Sequence, residues 1–125
     1  MQFTRFINAF KRLETPFYFY DLDILDQTLR TYTRNLRKYG YIAHYAMKAN
    51  ANPRILEIIQ RSGLGADCVS GNEVQLALDM GFDPETVVFA GVGKSDKEIR
   101  TALQGGIFSF NCESVPEIRI INDLA

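Results

Sequence analysis

The sequence is short of the residues that carry most metal and nucleophile chemistry. Of its 125 residues one is histidine, two are cysteine and none is tryptophan. His44, Cys68 and Cys112 share no metal-ligand spacing, so no metal site is expected. One histidine also leaves no Ser/His/Asp or Cys/His arrangement to assemble. Neither cysteine belongs to a CxxC pair, and both read as reduced thiols of a cytoplasmic protein. Charge of one sign is missing too: 14 basic residues against 15 acidic give a net charge of −1. That balance offers no electrostatic footprint for nucleic acid or an anionic membrane. No apolar run approaches the ~20 residues that span a bilayer. Arg5, Asn8, Lys11 and Arg12 interrupt any signal-peptide-like stretch at the N-terminus.

What the sequence does contain is a repeating unit. Residues 3–13 place Phe3, Phe6, Ile7, Phe10 and Leu13 at helical spacing, which predicts a short amphipathic arm docked on another part of the protein. PFYFYD follows and predicts an aromatic strand over 17–20. Asp21 is a good N-cap for a helix over 22–38 that buries Leu22, Leu25, Leu29 and Leu36 and stops at Gly40. A strand over 41–47 then leads through Lys48 to Asn52 and Pro53, a cap followed by a first-turn proline. Strands at 66–69, 86–90 and 107–110 each precede a helix. These later helices open on Ser70/Glu73, Ser95/Glu98 and Ser114/Glu117, the Ser-x-x-Glu pattern of a capping box. Short strand, cap, helix and glycine stop, repeated, make a βα array: either a doubly wound sheet or the first part of a (β/α)8 barrel. Four or five parallel strands leave an open edge, and a barrel needs about 250 residues. The chain is therefore expected to be the N-terminal part of a longer protein.

The array is organised around YIAHYAMKAN, residues 41–50, which delivers Lys48 to a strand end. Strand alternation puts Lys48 on one face with Ala46, His44 and Ile42. Strand ends of this kind carry the chemistry of α/β folds, and a partly desolvated lysine there can react with a carbonyl. The plainer reading is a solvated surface charge. Asp67 lies in the next strand within an apolar run, where a carboxylate needs a partner or a cap to fill. Glu73 is explained by its capping box, and His44 by core packing. Gly91-Val92-Gly93-Lys94-Ser95 ends like a phosphate-binding loop, but Val88 stands where that motif needs its first glycine. A capped βα turn explains it better.

YAMKAN (45–50), GADCVSGNEV (65–74), VFAGVGKSDKEI (88–99) and FNCESVPEI (110–118), in that order, resemble the fold-type III pyridoxal-phosphate decarboxylases. That group includes the diaminopimelate, ornithine and arginine decarboxylases, and the wording is nearest the first. The resemblance covers about residues 15–125. It implies the N-terminal half of a pyridoxal 5'-phosphate-binding (β/α)8 barrel over 22–125, with 1–21 an arm and one strand of a β-sandwich domain. It implies that Lys48 carries the cofactor, that Asp67 lines its site, and that Glu73 stands beside it. It further implies decarboxylation of meso-diaminopimelate to L-lysine by a homodimer with shared active sites. The family's glycine-rich phosphate loop, ring-stacking histidine, acid facing the ring nitrogen and cysteine-bearing motif are not found in these residues. The 125 residues alone are therefore expected neither to hold the cofactor tightly nor to decarboxylate. The alternatives are an ornithine, arginine or carboxynorspermidine decarboxylase, or a non-catalytic cofactor-binding barrel. PFYFYD and FNCES favour the enzyme.

Overall fold

A computed structural model describes residues 3–125. After a 3-10 turn at Phe3–Phe6 come α1 (Ile7–Phe10), α2 (Leu22–Tyr39) and β1 (His44–Ala46). A second 3-10 turn, Met47–Ala49, leads to α3 (Pro53–Arg61), β2 (Gly65–Cys68) and α4 (Gly71–Asp79). The last elements are β3 (Val87–Phe89), α5 (Asp96–Gln104), β4 (Ser109–Phe110) and α6 (Val115–Leu124). The four strands form one parallel sheet in the order β1-β2-β3-β4. Sheet order follows chain order, so right-handed crossovers place the connecting helices α3, α4 and α5 on the same face. A doubly wound sheet would reverse direction at a switch point, and none is present. The alternative left open by periodicity thus resolves to the arc of a (β/α)8 barrel.

Burial agrees with a helix-covered convex face. Ala66 and Cys68 of β2 and Val87 and Phe89 of β3 are buried, packed with Leu56, Ile59, Val74, Ala77 and Ala102 of the helices. α4 contacts β2, β3 and α5, and α5 contacts α6, so neighbouring helices seal one another. No helix among the described residues is long and apolar enough to cross a membrane.

Caps set the helix boundaries. The Asp21 carboxylate accepts from the Ile24 N–H at 3.3 Å, and Gly40 closes α2 at φ 69°, where a side chain would be strained. Asn52 caps α3, accepting from the Arg54 N–H at 3.0 Å, with Pro53 at the first position. Of the three capping boxes, only Ser95/Glu98 is reciprocal. At Ser70/Glu73 and Ser114/Glu117 the serine accepts from the glutamate N–H, as expected. The glutamate, however, reaches one residue further back, to the Val69 and Glu113 N–H groups at 2.7 Å.

Several expectations are corrected. Residues 17–20 are not a strand: no described segment pairs with them, and a strand without a ladder partner leaves its backbone groups unsatisfied. Their aromatics pack instead on the N-terminal arm, with Phe10 4.9 Å from Phe19 and 5.5 Å from Phe17 between ring centroids. The strand at 41–47 shrinks to 44–46, because Tyr41 and Ile42 lie in the open before pairing with β2 begins. Leu22, expected in the core, is exposed at the first turn of α2, where only Leu29 is buried.

Candidate functional site

Lys48 leaves the chain at the C-terminal end of β1. Strand geometry stops at Ala46, and the 3-10 turn then drives Met47 fully into the core while Lys48 stays exposed. The Tyr45 hydroxyl closes this turn by donating to the Asn50 carbonyl at 3.2 Å, and the Asn50 side chain accepts from the Asn52 N–H at 3.0 Å. Lys48 itself makes no hydrogen bond or ion pair with the described residues. Its amine is free for a ligand.

Parallel register fixes which side chains share the concave face. Ala46 pairs with Asp67, Asp67 with Val88, and Val88 with Ser109, so these four lie in one row across the sheet. Ile42, His44, Asp67, Val88, Ser109 and Asn111 line a cleft on this face. His44 packs against Gly65, where an added Cβ would collide with the imidazole and with the Thr86 carbonyl. Lys48 follows Ala46 by two residues, so the lysine and Asp67 belong to adjacent strand ends.

Asp67 is the unusual member. Its Oδ1 is buried, and it is the one such side-chain oxygen or nitrogen among the described residues without a hydrogen-bond partner. An unpaired buried carboxylate oxygen costs its full desolvation, and native proteins rarely leave one unanswered. A cationic or hydrogen-donating ligand in the cleft would answer it. The next residue, Cys68, is excluded as a nucleophile. Burial first, then the Glu73 and Asp67 carboxylates, push its thiol up to about 12, and only the thiolate attacks. Glu73 stands at the start of α4 with one carboxylate oxygen committed to the Val69 N–H, which leaves the other available.

The GVGKS turn holds a feature that sequence reasoning missed. The Lys94 side chain is fully buried, with its Nζ donating at 2.8 Å to Glu117 Oε1 and at 2.8 Å to the Asn111 carbonyl. It also lies 5.3 Å from the centroid of the Phe89 ring. The Lys94 hydrogen bond, followed by that from the Glu113 N–H, holds the Glu117 carboxyl below its ordinary range. Gly91 is required because a Cβ there would strike the Val69 carbonyl, and Gly93 adopts φ 64°. Ser95 fills its capping box. Every residue that mimicked a phosphate loop has a structural task.

The Lys94 pair has a counterpart one unit earlier in the repeat. The third residue of each later helix is glutamate, and in α5 and α6 its second oxygen reaches back one unit. Glu98 Oε1 accepts from the Gly71 N–H at 2.8 Å, just as Glu117 Oε1 accepts from Lys94. The Gly71 bond is the first cause holding the Glu98 carboxyl low, ahead of those from Ser95. Successive turns of the strand-end rim are thus tied to one another.

Residues 22–125 match the family model described as pyridoxal-dependent decarboxylase, pyridoxal binding domain. The chain is 53% identical over 120 residues to a diaminopimelate decarboxylase of Bacteroides thetaiotaomicron, covering 95% of this chain and 31% of that protein. It is 36% identical over 115 residues to an L-glutamyl-[BtrI acyl-carrier protein] decarboxylase of Niallia circulans, covering 92% and 27%. Among solved structures it is similar to a diaminopimelate decarboxylase (I148L mutant) of Helicobacter pylori complexed with L-lysine. That match has a TM-score of 0.83 and 39% identity, over 94% of this chain and 30% of that one. The chain therefore spans under a third of the length of these relatives.

Proposed function

This chain belongs to the pyridoxal-dependent decarboxylases, and on that premise we propose that it supplies the lysine-bearing half-barrel of a diaminopimelate decarboxylase. The full-length protein would release CO2 from meso-2,6-diaminopimelate and yield L-lysine. The observation that carries this reading is the 53% identity across 120 of 125 residues, joined to a free lysine at the end of the first barrel strand.

The residues present fit the family's cofactor. Lys48 offers an exposed amine without a competing ion pair, and Asp67 offers an unpartnered buried oxygen in the adjoining strand. Pyridoxal phosphate, when bound, supplies an electron sink for the pair released as CO2 departs. Lys48 would hold it covalently through Nζ and give way to the substrate amine. Asp67 would counter positive charge developing in the cleft. Glu73 would line the rim with its uncommitted oxygen while its other oxygen fixes the turn between β2 and α4. The convex-face core shuts water out behind the sheet, so reactant and water would enter at the C-terminal ends of the strands, where Lys48 lies.

Three further points belong to the same proposal. Residues 22–125 form the barrel half, and 1–21 an arm leading from a separate domain, a division supported by where the family match begins. The remaining two thirds of the relatives' length would provide the phosphate-binding and substrate-gripping groups. The working protein would be a cytoplasmic homodimer with shared sites, a reading supported by its two free thiols and the family resemblance.

The test uses the full-length protein with pyridoxal phosphate, reduced with borohydride and peptide-mapped. An adduct on Lys48 is expected, followed by CO2 release from diaminopimelate in preference to ornithine or arginine. An adduct on Lys94 instead would sink the assignment, since that ammonium is buried in an ion pair. Turnover of ornithine or arginine alone would move the substrate and leave the site standing.

A further inference from the structure

Tyr45 faces away from the cleft, yet it is bound to the turn that presents Lys48. It sits in the row Tyr45–Ala66–Val87, whose other members are fully buried against the helices, and its ring packs on that core. Its hydroxyl spans the turn and donates to the Asn50 carbonyl at 3.2 Å. Burial holds the phenol above its ordinary range, so the group remains a donor throughout the neutral range. The turn is thus gripped at three points. Buried Met47 pins its start, Tyr45 holds its end, and the Asn50 side chain takes the Asn52 N–H on the way into α3. Between the grips Lys48 extends with no partner of its own. An exposed lysine on an unrestrained turn would sample many directions, and closing such a loop costs conformational entropy.

We propose that Tyr45 is a positioning residue for Lys48, its hydroxyl fixing the Met47–Ala49 turn by holding the Asn50 carbonyl. The proposal rests on the reading that Lys48 carries the cofactor. Tyr45 lies on the helix-covered face, and Tyr45→Phe keeps its ring packing and removes one hydrogen bond.

Wild-type and Tyr45→Phe full-length proteins are titrated with pyridoxal phosphate, reduced at each concentration and peptide-mapped. Exposed Lys97 serves as an internal reference. The concentration giving half-maximal adduct on Lys48 should rise about fivefold in the variant, the weight of one hydrogen bond. Labelling of Lys97 should be unchanged, and the thermal transition should stay cooperative, lowered by no more than a few degrees. No adduct on Lys48 in the wild type would overturn the functional reading itself. An adduct on wild-type Lys48 with an unchanged half-point in the variant would overturn only the positioning role. A parallel shift at Lys97, or loss of the cooperative transition, would overturn it as well, by placing the hydroxyl in the fold rather than in the turn.

Discussion

Replacing Lys94 by methionine tests whether the strand-end rim is held by its buried ion pair. The Lys94 side chain is 0% exposed and that of Glu117 is 14% exposed, so neither charge has much water to fall back on. Methionine keeps most of the stem and the contact with Phe89, and removes both 2.8 Å hydrogen bonds. Breaking a buried pair by removing one partner typically costs 3–5 kcal/mol. Glu117 retains the Glu113 N–H, which argues for the lower end, about 3 kcal/mol. At about 2.1 cal/mol/K of unfolding entropy per residue, that lowers the melting temperature of a domain this size by roughly 10 °C. Circular dichroism melts would read it. The double variant Lys94→Met/Glu117→Gln should recover most of the loss, because the stranded charge is gone. The pH dependence has a definite sign. The folded-state pKa of Glu117 is depressed, chiefly by Lys94, so its contribution is present above the ordinary glutamate value of about 4.3 and is lost as pH falls through the folded value. Lys94→Met should flatten that acid limb. An unchanged melting point, or a double variant as weak as the single one, would refute the reasoning.

Asp67→Ala should leave the cofactor-free protein unchanged or raise its stability by about 1 kcal/mol, since it removes a buried oxygen with no partner, while pyridoxal phosphate binding weakens. Denaturant melts with and without cofactor would separate the two effects, and a large loss in the cofactor-free protein would show that Asp67 is structural. Gly91→Ala should cost about 2 kcal/mol or more by urea unfolding, because its Cβ would meet the Val69 backbone carbonyl rather than a flexible side chain. A neutral result would return the GVGKS turn to the list of ligand loops.

The array was legible because each unit repeats the same local physics. A serine or asparagine cap, a Pro or Glu in the first turn and a glycine stop each act within a few residues, so α3 to α6 lie close to where the pattern puts them. The choice of barrel over doubly wound sheet was legible from the family resemblance and not from the periodicity. Strand order depends on which neighbour each crossover returns to, and caps carry no record of that. The aromatic stretch 17–20 failed for the complementary reason. Its composition suits a strand, but a strand exists only by pairing, and Phe17 and Phe19 found the rings of the arm instead.

The candidate site divides along the same line. The place of Lys48 at a strand end was readable because a lone lysine ending an apolar run is a one-dimensional signal. The state of Asp67 was readable only as a question, since whether a carboxylate in a strand finds a partner depends on the two neighbouring strands. Lys94 was invisible because its partner, Glu117, lies 23 residues on and already had a sufficient local explanation as a cap. The two lysines then exchange the roles that surface intuition would give them. The one in a glycine-rich loop is sealed in the interior as a strut, and the one at the end of an apolar strand stands free. A lysine held by two hydrogen bonds inside the rim cannot swing to meet a carbonyl. An unpaired amine on a turn clasped by its neighbours can, and the proposal that Lys48 is the reactive lysine draws on that contrast more than on the motif around either residue.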